Sequence, residues 1–180
     1  MNLSRLRWFL WGAVVVAATL FGLFAYSLSQ PKDEFVESAM VGKPMPAFTL
    51  PPASVSRPGL SVANLADGQA KLLNVFASWC VPCAAEAPQL DALERAGANI
   101  VAIAIRDEPV NVDRFLEVYG NPFTRIGRDD ISEVQLSLGS SGVPETFVVD
   151  GKGRITYQHI GDIRAEQVPM ILEELRKAGA

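Results

Sequence analysis

The stretch Leu72-Leu73-Asn74-Val75-Phe76-Ala77 is apolar at five of its six positions and runs, through Ser78, straight into Trp79-Cys80-Val81-Pro82-Cys83. A nearly continuous run of this kind, bounded by polar residues, fits a strand buried on both faces at the centre of a sheet. After Cys80 the period changes. Ala84, Ala87, Leu90 and Leu93 recur every three residues, and Gly97 stops the pattern, so a helix begins at the cysteines and reaches Ala96. Pro88 inside it should kink it. A chain that buries a strand on both faces and then turns into a helix is confined to layered α/β architectures.

The remaining segments extend this pattern. Ile100-Val101-Ala102-Ile103-Ala104-Ile105 predicts a second buried strand, Val112 to Tyr119 a helix ended by Gly120-Asn121-Pro122, and Ile131 to Leu138 a further short helix. Val143 to Val149 and Arg154 to His159, joined by Asp150-Gly151-Lys152-Gly153, read as a β-hairpin, and Arg164 to Ala178 as a closing helix. The proline-rich stretch from Val41 to Pro52 reads as an extended edge segment, and Val62 to Leu65 stays ambiguous before the Asp67-Gly68 turn. Strand, helix, strand, helix, hairpin, helix gives an α/β fold, a central mixed sheet covered by helices on both faces.

Ahead of this domain lies a run from Trp8 to Gln30 with no charged residue, long enough to span a bilayer as a helix. Arg5 and Arg7 precede it and Lys32, Asp33 and Glu34 follow, so the positive-inside rule puts Met1 in the cytoplasm and the domain outside. The expected organisation is residues 1–7 cytoplasmic, 8–28 a transmembrane anchor, 29–40 a linker and 41–180 the domain. A cleaved signal peptide is the competing reading, with Ala25-Tyr26-Ser27 as its cleavage site, but the apolar run is longer than the usual signal core. The net charge of -4 without a basic stripe excludes nucleic acid as a partner class and favours a monomer.

Cys80 and Cys83 are the chain's two cysteines. A structural disulfide usually closes a long loop, where it removes far more chain entropy than the tight ring of a C-x-x-C. Two cysteines one helical turn apart at a helix N-terminus suit thiol–disulfide exchange: Cys80, near unpaired N–H groups and the positive end of the dipole, is the nucleophile, and the more buried Cys83 resolves the mixed disulfide. Val81 and Pro82 between them tune the potential, Pro82 standing where a missing N–H costs little. The redox-active Cys80–Cys83 pair needs no separate cofactor and no metal. Trp79 forms an apolar wall for a substrate peptide or else packs in the core. His159, the lone histidine, reads as an exposed or hydrogen-bonded strand residue, and Asp107-Glu108 and Asp129-Asp130 as solvated loop charges, with a partner-facing acidic patch as the alternative.

Trp79-Cys80-Val81-Pro82-Cys83 together with Gly142-Val143-Pro144-Glu145-Thr146-Phe147 resembles the thioredoxin-fold superfamily, with its W-C-x-x-C motif and distant cis-proline, over roughly residues 41–178. More narrowly, the segment Asn74 to Cys80, Gly120-Asn121-Pro122-Phe123 and the segment Val143 to Gly151 are similar to the membrane-anchored thiol:disulfide interchange proteins of cytochrome c maturation, the DsbE or CcmG family. The resemblance implies a thioredoxin-like fold behind an N-terminal transmembrane helix, and a single-pass inner-membrane protein whose catalytic domain faces the periplasm. It implies that Pro144 is cis and exposes the backbone of Val143 beside the sulfurs, where a substrate peptide pairs as an added strand. The implied substrate is apocytochrome c, whose Cys-x-x-Cys-His thiols are released from disulfides or mixed disulfides. The implied partners are the maturation machinery and a membrane thiol electron donor.

One departure from the superfamily matters. Thioredoxin has a buried Asp six positions before its first cysteine; here Asn74 stands there and cannot titrate. Proton handling then falls to Glu86, three residues after Cys83 on the same helix face, and Glu145, directly after Pro144. A solvated helix-face carboxylate is the alternative for Glu86.

Rival readings are a general extracytoplasmic thiol reductase of another pathway and a copper-binding thioredoxin-fold chaperone, which resembles C-x-x-x-C with a distant His as third ligand. A peroxidase is a weaker rival, since the Pro and hydroxyl residue of its P-x-x-x-[TS]-x-x-C motif are missing before both cysteines.

Overall fold

The computed structural model describes residues 3–29 and 40–180, which fall into two units, an N-terminal helix and a domain described from Met40 onward. The expected linker over 29–40 lies almost wholly outside the described residues, as does Met1.

Helix α1, Leu3–Ser29, carries an apolar stretch from Arg7 to Tyr26 of 20 residues with mean hydropathy 2.0, long enough to cross a membrane. Thr19 turns its hydroxyl back onto the Val15 carbonyl (2.8 Å), which satisfies the polar group within the helix itself.

The domain is built on β3 (Lys71–Phe76), whose six residues are all buried. It pairs in parallel with β4 (Ile100–Ile105), equally buried, and antiparallel with β6 (Glu145–Val149). Beyond β4 lies β5 (Phe123–Asp129) and beyond β6 lies β7 (Ile155–Ile160), giving the order β5-β4-β3-β6-β7. Helices α2 (Val81–Arg95) and α3 (Pro109–Tyr119) are the crossovers of the parallel half, and α5 (Val168–Ala178) follows the hairpin. The mixed α/β sheet expected from the element order is therefore present.

Helix α2 runs unbroken through Pro88 and ends where Gly97, at φ 94°, takes the left-handed conformation that lets Ala98 N–H reach the Leu93 carbonyl.

Three parts differ from the sequence reading. Strand β5 has no counterpart in it: Thr124, Arg125 and Arg128 break its apolar pattern, and it is an edge strand whose outer side is covered by chain from far away. That cover is a ribbon of β1 (Thr49–Leu50) and β2 (Leu60–Ser61), with Ala53 N–H bonded to Ile126 O and Arg128 N–H to Pro51 O. The segment read as one edge piece in fact guards both edges, because Gly42 and Lys43 first exchange backbone bonds with Ile155 at β7. The short helix expected over 131–138 shrinks to α4 (Glu133–Ser137).

The ambiguous stretch after β2 is a single 3-10 turn, Val62–Asn64. Beneath the cysteines the core closes on an aromatic trio, Phe76 stacked on Phe123 at 5.2 Å and tilted against Phe115 at 5.6 Å.

The ribbon sits directly on β5 at Gly127, where a Cβ would come 2.8 Å from Leu50 Cβ and 3.1 Å from Leu60 Cβ. Gly127→Ala is expected to cost about 1–3 kcal/mol in urea unfolding while leaving dithiol exchange in the cold intact. An unchanged unfolding midpoint would show that the ribbon is not held against the edge.

Candidate active site

Strand β3 ends at Phe76, and three residues beyond Ala77 the chain reaches Cys80, the N-cap of α2, in extended conformation with φ -87°. A residue there aims its side chain at the free N–H groups of the first turn. The Cys80 sulfur accepts from Cys83 N–H at 3.2 Å. Pro82 lies in that first turn, where no donor is lost. Cys80 and Cys83 form a disulfide with their Cα atoms 5.3 Å apart. Both are buried, Cys80 retaining 5 % exposure and Cys83 2 %. Around them Trp79 and Val81 stand exposed, at 58 % and 80 %. Trp79 is thus not a core residue. Its indole N–H donates to the Arg106 carbonyl at 3.3 Å, which pins the ring to the loop after β4.

That loop clamps the cysteine turn. Asp107 accepts from the backbone N–H and hydroxyl of Ser78 and from its neighbour Glu108 N–H. Asp107 is buried, and so is Asp129, which accepts from Glu133 and Gln135 N–H at the start of α4. Reading these two as solvated loop charges is therefore corrected: apart from the Ser78 hydroxyl, their partners are backbone N–H groups, which leave no trace in side-chain pattern. Arg106 itself is held at φ 46°, a conformation that costs a non-glycine residue roughly 1–2 kcal/mol.

The Val143-Pro144 peptide bond is cis. Register pairs Glu145 with Val75, so the two residues before it continue toward the end of β3, from which the cysteine turn departs. Val143 is half-buried and Pro144 buried. Glu145, also buried, accepts four hydrogen bonds: from Ser141 N–H (2.9 Å) and hydroxyl (3.0 Å), Gly142 N–H (3.2 Å) and Gln158 Nε2 (2.8 Å). These partners belong to its own loop and to β7, and they fasten the loop that carries Val143 and Pro144.

Glu86 is fully buried, one turn beyond Cys83. Its carboxylate takes Asn74 Nδ2 on one oxygen and Ile163 N–H on the other, each at 3.0 Å. Burial pushes its pKa up to about 7, aided by the charge of Asp162 and opposed by the two hydrogen bonds. Glu86 and Cys83 line the same small cavity, together with Asn74, Phe76 and Phe115.

Sequence reasoning found both acids but not what holds them. Asn74 was the available signal, since one amide within an apolar strand demands a buried partner. Its amide also donates to Thr146 Oγ1 at 3.0 Å. His159 is buried, its Nε2 3.4 Å from the Asp162 carbonyl. Among the described residues no group of three or more His, Cys, Asp or Glu side chains is placed to hold a metal ion.

Residues 40–175 match the model of the Redoxin family. The thiol:disulfide interchange protein HelX of Rhodobacter capsulatus is 36% identical over 90% of this chain and 92% of its own length. The thiol:disulfide interchange protein DsbE of Escherichia coli K12 is 34% identical over 93% of this chain and 92% of its own. A crystal structure of a thiol:disulfide interchange protein of the thioredoxin family from Chlorobium tepidum superposes with a TM-score of 0.61 over 76% of this chain and 96% of its own, at 23% identity, and so shares the thioredoxin-like fold.

The raised pKa of Glu86 has a consequence for folding. Between the carboxyl's ordinary value, about 4.3, and its folded value the native state holds a proton that the unfolded chain releases. Stability therefore falls as pH rises through this window and levels off above about 7, by roughly 3–4 kcal/mol in all. Denaturation across this range should show that slope in the wild type and a flatter one in Glu86→Gln. The same slope in both proteins would place the titration elsewhere.

Proposed function

The chain belongs to the Redoxin family, among thiol:disulfide interchange proteins of the DsbE and HelX type, and from that premise we propose that this protein-disulfide oxidoreductase serves cytochrome c maturation. In this reading α1 anchors it in the inner membrane, the catalytic domain faces the periplasm, and its substrates are disulfides or mixed disulfides of the Cys-x-x-Cys-His motif of apocytochrome c. The positive residues before the apolar run support that orientation. The motif similarity around Asn74 to Cys80, Gly120 to Phe123 and Val143 to Gly151 supports the substrate.

The observation that carries the chemistry is the pairing of an N-cap cysteine with a resolving cysteine that shares a cavity with a buried carboxyl. The Cys80 thiolate, stabilised by the N–H groups of the first turn, attacks one sulfur of the substrate disulfide, and the other substrate sulfur leaves as a thiolate. The Cys83 thiol gives its proton to Glu86 and attacks Cys80, releasing the second substrate thiolate and closing Cys80–Cys83. Two electrons have passed from the protein's dithiol to the substrate. A membrane dithiol donor returns them by the same exchange. Trp79 and Val143 flank the incoming peptide, and Pro144 and Glu145 hold the loop that presents Val143. Val81 and Pro82 set the potential by shaping the first turn.

Full-length Cys83→Ser expressed in the native host should accumulate mixed disulfides on Cys80 with apocytochromes c or their maturation partners. A broad set of secreted cysteine proteins in the trap would mean a general reductase. An empty trap would contradict Cys80 as nucleophile.

A further inference from the structure

We propose that Asn74 and Thr146 are positioning residues for Glu86, forming a buried hydrogen-bond relay that ties the proton acceptor on α2 to the strand that directly follows Pro144. The inference rests on the reading that Glu86 receives the Cys83 proton.

Asn74 is fully buried in the central strand, and Thr146, its registered partner on β6, is 1 % exposed. The two hydrogens of Asn74 Nδ2 are both committed, one to Glu86 Oε1 and one to Thr146 Oγ1, each at 3.0 Å. Asn74 Oδ1 accepts from no protein donor. The plane of the amide is therefore fixed from its donor side alone. While Thr146 Oγ1 and the Glu86 carboxylate both accept, the amide presents N–H to Glu86, and that favours the carboxylate over the acid. Without the threonine hydroxyl, Asn74 is free to turn its oxygen toward Glu86, an arrangement that suits only the protonated carboxyl. Thr146 thus sets how readily Glu86 is found ionised without touching it.

The ionisable groups around Glu86 are few. Cys83 lies on its own helix, and Asp162 in the loop after β7 acts on it by charge. His159 on β7 neighbours Thr146 in register. From α3, the loop after it and the first residue of β5, the cavity receives only Phe115, Gly120, Pro122 and Phe123.

The test uses the reduced full-length protein in detergent, mixed rapidly with an aromatic disulfide whose thiol product is coloured. The first thiol released reports attack by Cys80, and the second reports closure by Cys83. Thr146→Val, with Thr146→Ala as a smaller variant lacking the same hydroxyl, should move the pH midpoint of the second step up by about one unit, making closure about tenfold slower below the midpoint. The first step should not change. Thr146→Ser, which keeps the hydroxyl, should retain the wild-type profile. In a Glu86→Gln background the Thr146 substitutions should have no further effect.

A midpoint that stays put in Thr146→Val and Thr146→Ala, while Glu86→Gln alters the second step, overturns the relay and leaves Glu86 as acceptor. A shift that persists in the Glu86→Gln background assigns the effect to His159 or Asp162 and overturns it too. A second step unaffected by Glu86→Gln overturns the reading of Glu86 and the relay with it.

Discussion

Cys80 caps helix α2 at the point where β3, buried on both faces, runs out. The position of the reacting sulfur is inherited from the most rigid element of the sheet, because β3 pairs with β4 on one side and β6 on the other and packs beneath helices. The cap supplies the chemistry and the strand supplies the precision. Cys83 N–H points at Cys80 Sγ in the first turn, so a negative sulfur there finds a donor already in place, with no reorganisation. Asp107 secures the turn from the other side by taking the N–H and hydroxyl of Ser78, and Trp79, bonded to the Arg106 carbonyl, is held out beside the sulfurs instead of folding into the core.

The same junction contains a costly feature. An amide and a carboxyl, Asn74 and Glu86, are buried beside a strand whose residues on either side of Asn74, Leu72 to Phe76, are otherwise apolar. Hydrogen bonds from Asn74 and Ile163 offset only part of the desolvation of the carboxylate, and its affinity for a proton rises into the neutral range as a result. A purely structural site would be better served by apolar residues of similar size. A carboxyl poised to exchange a proton near neutral pH, in a cavity shared with Cys83, is suited to the proposed step in which that cysteine becomes a thiolate. The second acid, Glu145, is treated differently. Four donors engage it, and its service is to the loop of Val143 and Pro144.

Much of this was legible in the residues themselves. The unbroken apolar runs of β3 and β4, the change to a three-residue period after Cys80 and the glycine-bearing hairpin turn all follow from burial and backbone chemistry that sequence displays directly. Strand β5 did not, because Arg125 and Arg128 sit in an edge strand whose cover, Thr49–Leu50 and Leu60–Ser61, comes from more than 60 residues earlier in the chain. At the site, the cysteines and Glu86 were found by spacing. What holds them was not, since Ile163 N–H lies 77 residues from Glu86 and Thr146 72 from Asn74. Asp107 and Asp129 misled for a related reason: an acid bonded to backbone N–H groups looks, in sequence, like any solvated one.

The account turns on a buried Glu86 carboxyl that exchanges its proton near neutral pH beside Cys83. The direct measurement is an NMR titration of the Glu86 side-chain carboxyl carbon in the oxidised protein. The account requires a midpoint of about 7. A midpoint near that of a solvated glutamate, about 4.3, would contradict it.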